Sequence, residues 1–100
     1  MLHLVVRLTY VSGHEHDGAL YERTVLQYWR EHGGEVIAAF RPAAWSDGSR
    51  AADELQVLRI PSREQLDAYL ADARRVALAS VRDRTIASTE VVMSEEMVER

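Results

Sequence analysis

Leu2-His3-Leu4-Val5-Val6-Arg7-Leu8-Thr9-Tyr10-Val11 opens the chain with strict two-residue alternation. Leu2, Leu4, Val6, Leu8 and Tyr10 form one face, and all of them are apolar or aromatic. His3, Val5, Arg7, Thr9 and Val11 form the other, which is mixed. A strand of this kind packs helices on its apolar side. Its mixed side meets another sheet or a cavity.

Reading outward, Ser12 to Gly18 is a Gly-, His- and Asp-rich loop, and a helix is expected from Asp17 or Gly18 to about His32. Its apolar stripe runs through Leu20, Thr24 and Tyr28 with Tyr21, Val25 and Trp29 beside it. Gly33-Gly34 ends it with the left-handed cap that glycine adopts cheaply. A second strand is expected over Glu35–Trp45, with Val36, Ala38 and Phe40 opposed to Ile37, Ala39 and Arg41. Pro42 ends its pairing or marks an edge. Ser46-Asp47-Gly48-Ser49 is a turn, so a hairpin leads into a third strand, Glu54–Ile60. Ser62 and Gln65 form a capping box for a second helix from Arg63, with Leu66, Tyr69 and Leu70 as its core stripe. Asp72 breaks or re-caps that helix, and Val76, Leu78, Val81 and Ile86 continue an apolar face. A last strand covers Thr89–Met93 and an acidic tail follows. The order strand, helix, strand, strand, helix, strand predicts a single α+β domain over residues 1–100, with both helices on one sheet face.

The composition excludes several classes of function. There is no cysteine, so disulfides, thiolate metal sites and a cysteine nucleophile are ruled out. All twelve basic residues are Arg, which removes Schiff-base and P-loop lysines. The net charge of −4 supplies no basic field for nucleic acid. No apolar run approaches the ~20 residues of a membrane span. The N-terminus starts a strand where a signal peptide would have a basic region, so a cytoplasmic protein is expected.

His32-Gly33-Gly34-Glu35-Val36-Ile37-Ala38 resembles the helix-to-strand junction of small dimeric α/β-barrel proteins. Leu58-Arg59-Ile60-Pro61-Ser62-Arg63-Glu64-Gln65-Leu66 is similar to their third-strand-to-second-helix junction. Tyr69-Leu70-Ala71-Asp72-Ala73-Arg74-Arg75 and Arg82-Asp83-Arg84 resemble their broken second helix. The likeness spans nearly the whole chain, and it rests on structural punctuation. That superfamily holds antibiotic-biosynthesis-type monooxygenases, polyketide cyclases, haem-degrading enzymes and many uncharacterised domains. The resemblance implies a ferredoxin-like βαββαβ subunit whose sheet packs on that of a second copy, forming a barrel across the dimer. The haem-degrading branch uses an Asn, and this chain contains none.

The chemistry-bearing residues each admit two readings. His14-Glu15-His16 presents two imidazoles if extended, but a metal site needs further ligands, and a solvated loop is the plainer reading. Arg7 and Arg59 point away from the helices, with Arg41 expected beside them. Each needs a carboxylate or an anionic ligand, and Glu90 is one internal partner available to Arg7. Tyr10 and Trp45 stand at strand ends, where pocket mouths occur, and His3 lies on the mixed face. Arg7, Tyr10, Trp45, Arg59 and His3 are therefore the candidate ligand-binding residues. The expected function is a homodimer, joined through its sheet faces, that binds or transforms a small aromatic or carboxylate-bearing metabolite without metal or other cofactor. The alternative is a non-enzymatic dimerisation or regulatory module with a packed barrel interior.

Overall fold

The computed structural model describes residues 1–100. Its elements are β1 (Leu2–Tyr10), α1 (Glu15–Glu31), β2 (Glu35–Phe40), β3 (Ala43–Ala44), β4 (Arg50–Ala52), β5 (Glu54–Ile60), α2 (Arg63–Leu70), α3 (Ala73–Val76), α4 (Ala79–Thr85) and β6 (Ile86–Ser94). The main sheet has the antiparallel order β2-β5-β1-β6. β1 pairs with β5 from Leu2↔Ile60 to Leu8↔Glu54, and with β6 from His3↔Ser94 to Tyr10↔Ile86. This is the expected α+β ferredoxin-like fold, with β3 and β4 added as a small second sheet in the hairpin.

The alternation of β1 decides the layering. Leu2, Leu4, Val6, Leu8 and Tyr10 are all buried, facing Tyr21, Val25 and Trp29 of α1 and Leu66 and Tyr69 of α2. Trp29 is 1% exposed, and its indole N–H donates to Glu35 O at 3.1 Å. A Cβ at Gly34 would overlap that ring, so glycine is required there as well as at Gly33, where φ is +87°. The Ser62 hydroxyl accepts from Gln65 N and caps α2. The Asp72 carboxylate accepts from Arg74 N and starts α3, which re-caps the helix as its position foretold.

Several boundaries differ from the sequence reading. α1 begins at Glu15 with His14 at its N-cap, so His14-Glu15-His16 enters a helical turn and does not form an extended loop. Leu20 (45% exposed) and Leu70 (43%) lie outside the core, because each sits at the rim of its stripe. The expected strand to Trp45 stops at Phe40, where Pro42 removes a donor from the ladder. The last strand is longer than expected and includes Ile86 and Ser94.

A β-bulge in β2 has the largest consequence. The register runs Val36↔Leu58 and then Ala38↔Val57, leaving Ile37 as an extra residue. Beyond it the alternation is reversed. Phe40 pairs with Leu55 on the open face, and Arg41 turns to the helix side, where it meets Glu54. Arg41 is therefore not on the open sheet face with Arg7 and Arg59, contrary to the alternation read from the sequence.

Candidate functional site

A cavity of ≈140 Å³ lies between the sheet and the helix layer. Tyr21, Val25 and Trp29 of α1 form one wall, and Leu4, Val6 and Leu58 form its floor. Tyr69 closes one end, edge-on to Trp29 with ring centroids 5.1 Å apart. The other end opens at Thr89 and Val91 of β6, where the helix layer stops short and Val91 is half exposed. The volume suits a single benzene-sized ring.

Few polar groups reach into this apolar space, and each has a distinct status. Glu22 enters from α1 and Gln56 from β5. The Gln56 amide donates to Glu22 Oε1 at 2.8 Å and to Glu54 Oε2 at 2.6 Å, bridging the two carboxylates. Glu54 is 3% exposed and well compensated. Its Oε1 accepts from the Tyr10 hydroxyl at 2.8 Å and pairs with Arg41 Nε at 2.8 Å. Glu22 has only the one donor. Burial pushes its carboxyl above the usual range and the Glu54 charge adds to that, while the Gln56 hydrogen bond and the Arg75 charge oppose it.

Arg75 of α3 lies over Tyr69, its guanidinium carbon 5.0 Å from the ring centroid. Its Nη1 donates to Leu70 O at 3.4 Å, and its buried Nε has no partner. It forms no ion pair, unlike Arg82, the other cavity guanidinium, which pairs with Asp83 at 3.4 Å. Burial pushes the Tyr69 hydroxyl up to about 12, with the Arg75 charge opposing. Tyr10 is likewise raised, by burial first and then by its bond to Glu54.

The structure divides the five residues singled out from sequence between the two faces of the sheet. Arg7 and Trp45 meet on the open sheet face, the guanidinium carbon 5.1 Å from the indole centroid. Arg7 also pairs with Glu90 at 2.6 Å, its cross-strand neighbour. Arg59 lies across from His3 in the β1–β5 ladder and pairs with Glu35 at 2.7 Å. Tyr10 is on the helix side, bonded to Glu54. Both open-face arginines thus have carboxylates within their own sheet, although the buried Arg59 Nε has no partner, and among the cavity-lining guanidiniums the one without an ion pair is that of Arg75. Sequence reading missed Glu22, Gln56 and Arg75. The signal available was a Glu one position from a core Tyr, and a Gln two residues from Glu54 on the buried face of β5. No three His, Asp or Glu residues lie close enough together to share a metal ion.

Comparison with known proteins places the fold. No family model matches the chain, and no curated protein matches it in sequence. Solved structures do match. A protein of unknown function from Rhodopseudomonas palustris superposes with a TM-score of 0.79 at 12% identity, covering 98% of this chain and 83% of its own. A cofactor-independent oxygenase from Streptomyces nogalater superposes with a TM-score of 0.69 at 9% identity, covering 98% and 94%. An antibiotic biosynthesis monooxygenase gives 0.67 at 14% identity, covering 98% and 100%. The fold is that of the antibiotic-biosynthesis-monooxygenase-like proteins. The resemblance read from the sequence holds at the level of fold, and identities this low carry nothing about activity.

Proposed function

We propose that this chain is a monooxygenase-like small-molecule domain that takes a monocyclic aromatic ligand bearing an acidic group into the cavity beneath α1. The observation that carries this reading is Arg75. A half-buried guanidinium with an unpartnered Nε and no carboxylate in salt-bridge contact, in a space walled by Trp29, Tyr21 and Tyr69, is matched by a ligand that is flat, apolar and anionic at one end. The solved oxygenase and monooxygenase of the same fold support the class of protein.

Titration calorimetry with benzoate and with its uncharged analogue benzamide tests the reading. Benzoate binds more tightly to the wild type, and Arg75→Gln loses about tenfold or more of that preference, the scale of one charge-assisted hydrogen bond. Equal affinity for the two compounds, unchanged by the substitution, overturns it.

The working unit on this reading is a homodimer joined through the open sheet faces. Val5, Ile37, Phe40, Trp45 and Val92 are exposed on or beside that face, with Val92 71% exposed. Arg7–Glu90 and Arg59–Glu35 are neutral pairs that a second sheet can cover without an unmatched charge. These pairs favour a packed barrel interior, which leaves the cavity under α1 as the ligand site.

A further inference from the structure

Glu22 is the one carboxylate that both lines the cavity and lacks full compensation. Its Oε1 takes the Gln56 bond, and its Oε2 accepts nothing from the protein. Glu54, bridged to it through the same amide, accepts hydrogen bonds from Gln56 and Tyr10 and forms an ion pair with Arg41. The two carboxylates are thus differentiated by geometry, one fixed in a hydrogen-bonded cage and one open to a ligand. Arg75 lines the same cavity, near enough for its charge to act on Glu22 but without a salt-bridge contact, and its Nε has no partner. A ring between them can meet an acceptor and a cation at once.

Resting on the cavity reading above, we propose that Glu22 is the proton acceptor of the site. A ligand's aromatic hydroxyl gives its proton to Glu22 Oε2, and the oxyanion left behind is held by Arg75. The O–H bond of the ligand breaks, a carboxyl O–H forms on Glu22, and total charge inside the cavity is unchanged. No redox partner is needed. Glu54 and Gln56 on β5 and Arg75 on α3 act on Glu22 directly, and its charge reaches Tyr10 on β1 and Tyr69 on α2. Arg82 on α4 lines the same cavity, and Arg41 after β2 lines the neighbouring one with His16, Arg23 and Arg30 of α1. Burial and the Glu54 charge make Glu22 a better base than an exposed carboxylate, and Arg75 makes a bound hydroxyl a better acid. The substrate class is therefore a small phenol.

The test uses para-nitrophenol, whose anion absorbs at longer wavelength than the neutral form. Bound to the wild-type protein it shows the anion band at a pH about one unit below that of the free probe, the scale of a neighbouring cation's effect. Calorimetry in buffers of different ionisation enthalpy shows no proton released, because the proton stays on Glu22. Glu22→Gln still forms the anion beside Arg75 but releases a proton to buffer as it does so, and Glu22→Asp releases less than a full proton. A full proton released to buffer per bound anion in the wild type, or an anion formed in Glu22→Gln with no proton released, overturns the proposal. The proton balance is measured on the wild type alone, so it decides the matter even if a variant fails to fold. If the probe does not bind, or binds without dependence on Arg75, the cavity reading itself fails. Binding that depends on Arg75 with no transfer to Glu22 defeats only this inference.

Discussion

Trp29 concentrates more of the fold than any other side chain. It is 1% exposed, bonds Glu35 O, meets Tyr69 edge-on and rests against Gly34. Trp29→Ala should cost about 3–5 kcal/mol, read from chemical denaturation. Two carboxylates move stability with pH in opposite directions. Arg74 holds the Asp72 carboxyl far below its usual range, and His32 adds to this through a 2.8 Å bond from Nε2. A depressed folded-state pKa stabilises above the unfolded value of about 3.9 and is lost as pH falls below it. Asp72→Asn should therefore lose less stability than the wild type between pH 5 and pH 2 in a denaturation series. Glu22 is raised by burial, so its contribution is present at low pH and is lost as pH rises through the folded value. Glu22→Gln should raise Tm at pH 8 relative to wild type and leave it nearly unchanged at pH 4. That result would also mark Glu22 as a group kept at some expense to stability. At this scale the sequence identified Trp29 and Tyr69 as core through their helical spacing. It could not identify Arg75, whose status depends on which carboxylates fail to reach it in space.

At the scale of elements, local chemistry decided the caps and tertiary geometry decided the faces. The Ser62–Gln65 box and the Asp72 re-cap were both legible, because a capping side chain bonds within its own turn. Ser62→Ala should cost about 1 kcal/mol, measured by the same denaturation method. The bulge at Ile37 was not legible. A strand's register is set against its partner, and one extra residue in β2 moves Phe40 to the open face and Arg41 beneath α1. Arg41 thereby becomes part of the cage around Glu54, and the open face loses a charge it was expected to carry. The start of α1 was set two or three residues late in the sequence, because His14 supplies no side-chain cap to announce it.

The whole molecule is a thin two-layer slab, 38 × 35 × 15 Å across its Cα atoms. Its accessible surface of 6435 Å² is roughly 700 Å² more than a compact monomer of 11.4 kDa presents. A stable interface removes about 800 Å² per partner, and the open face supplies the apolar part through Phe40, Trp45 and Val92. Phe40→Asp together with Val92→Asp should halve the mass seen by light scattering from that of a dimeric wild type, with the far-UV spectrum retained. A wild type already monomeric at micromolar concentration would remove the second copy from the proposal. No helix is long and apolar enough to cross a membrane. The amino-acid sequence by itself determined the order of elements, the helix-facing side of β1 and the ferredoxin-like fold, because periodicity, glycines and caps act within a few residues of chain. Only the tertiary structure decided which charges are paired and where a cavity lies. The sequence pointed to Arg7 and Arg59, but both find carboxylates on adjacent strands, at positions 83 and 24 residues away in the chain. The cavity and its free guanidinium arise instead where α1, α3 and β5 converge, and whether a charge is paired depends on distance in space, which the linear chain does not specify.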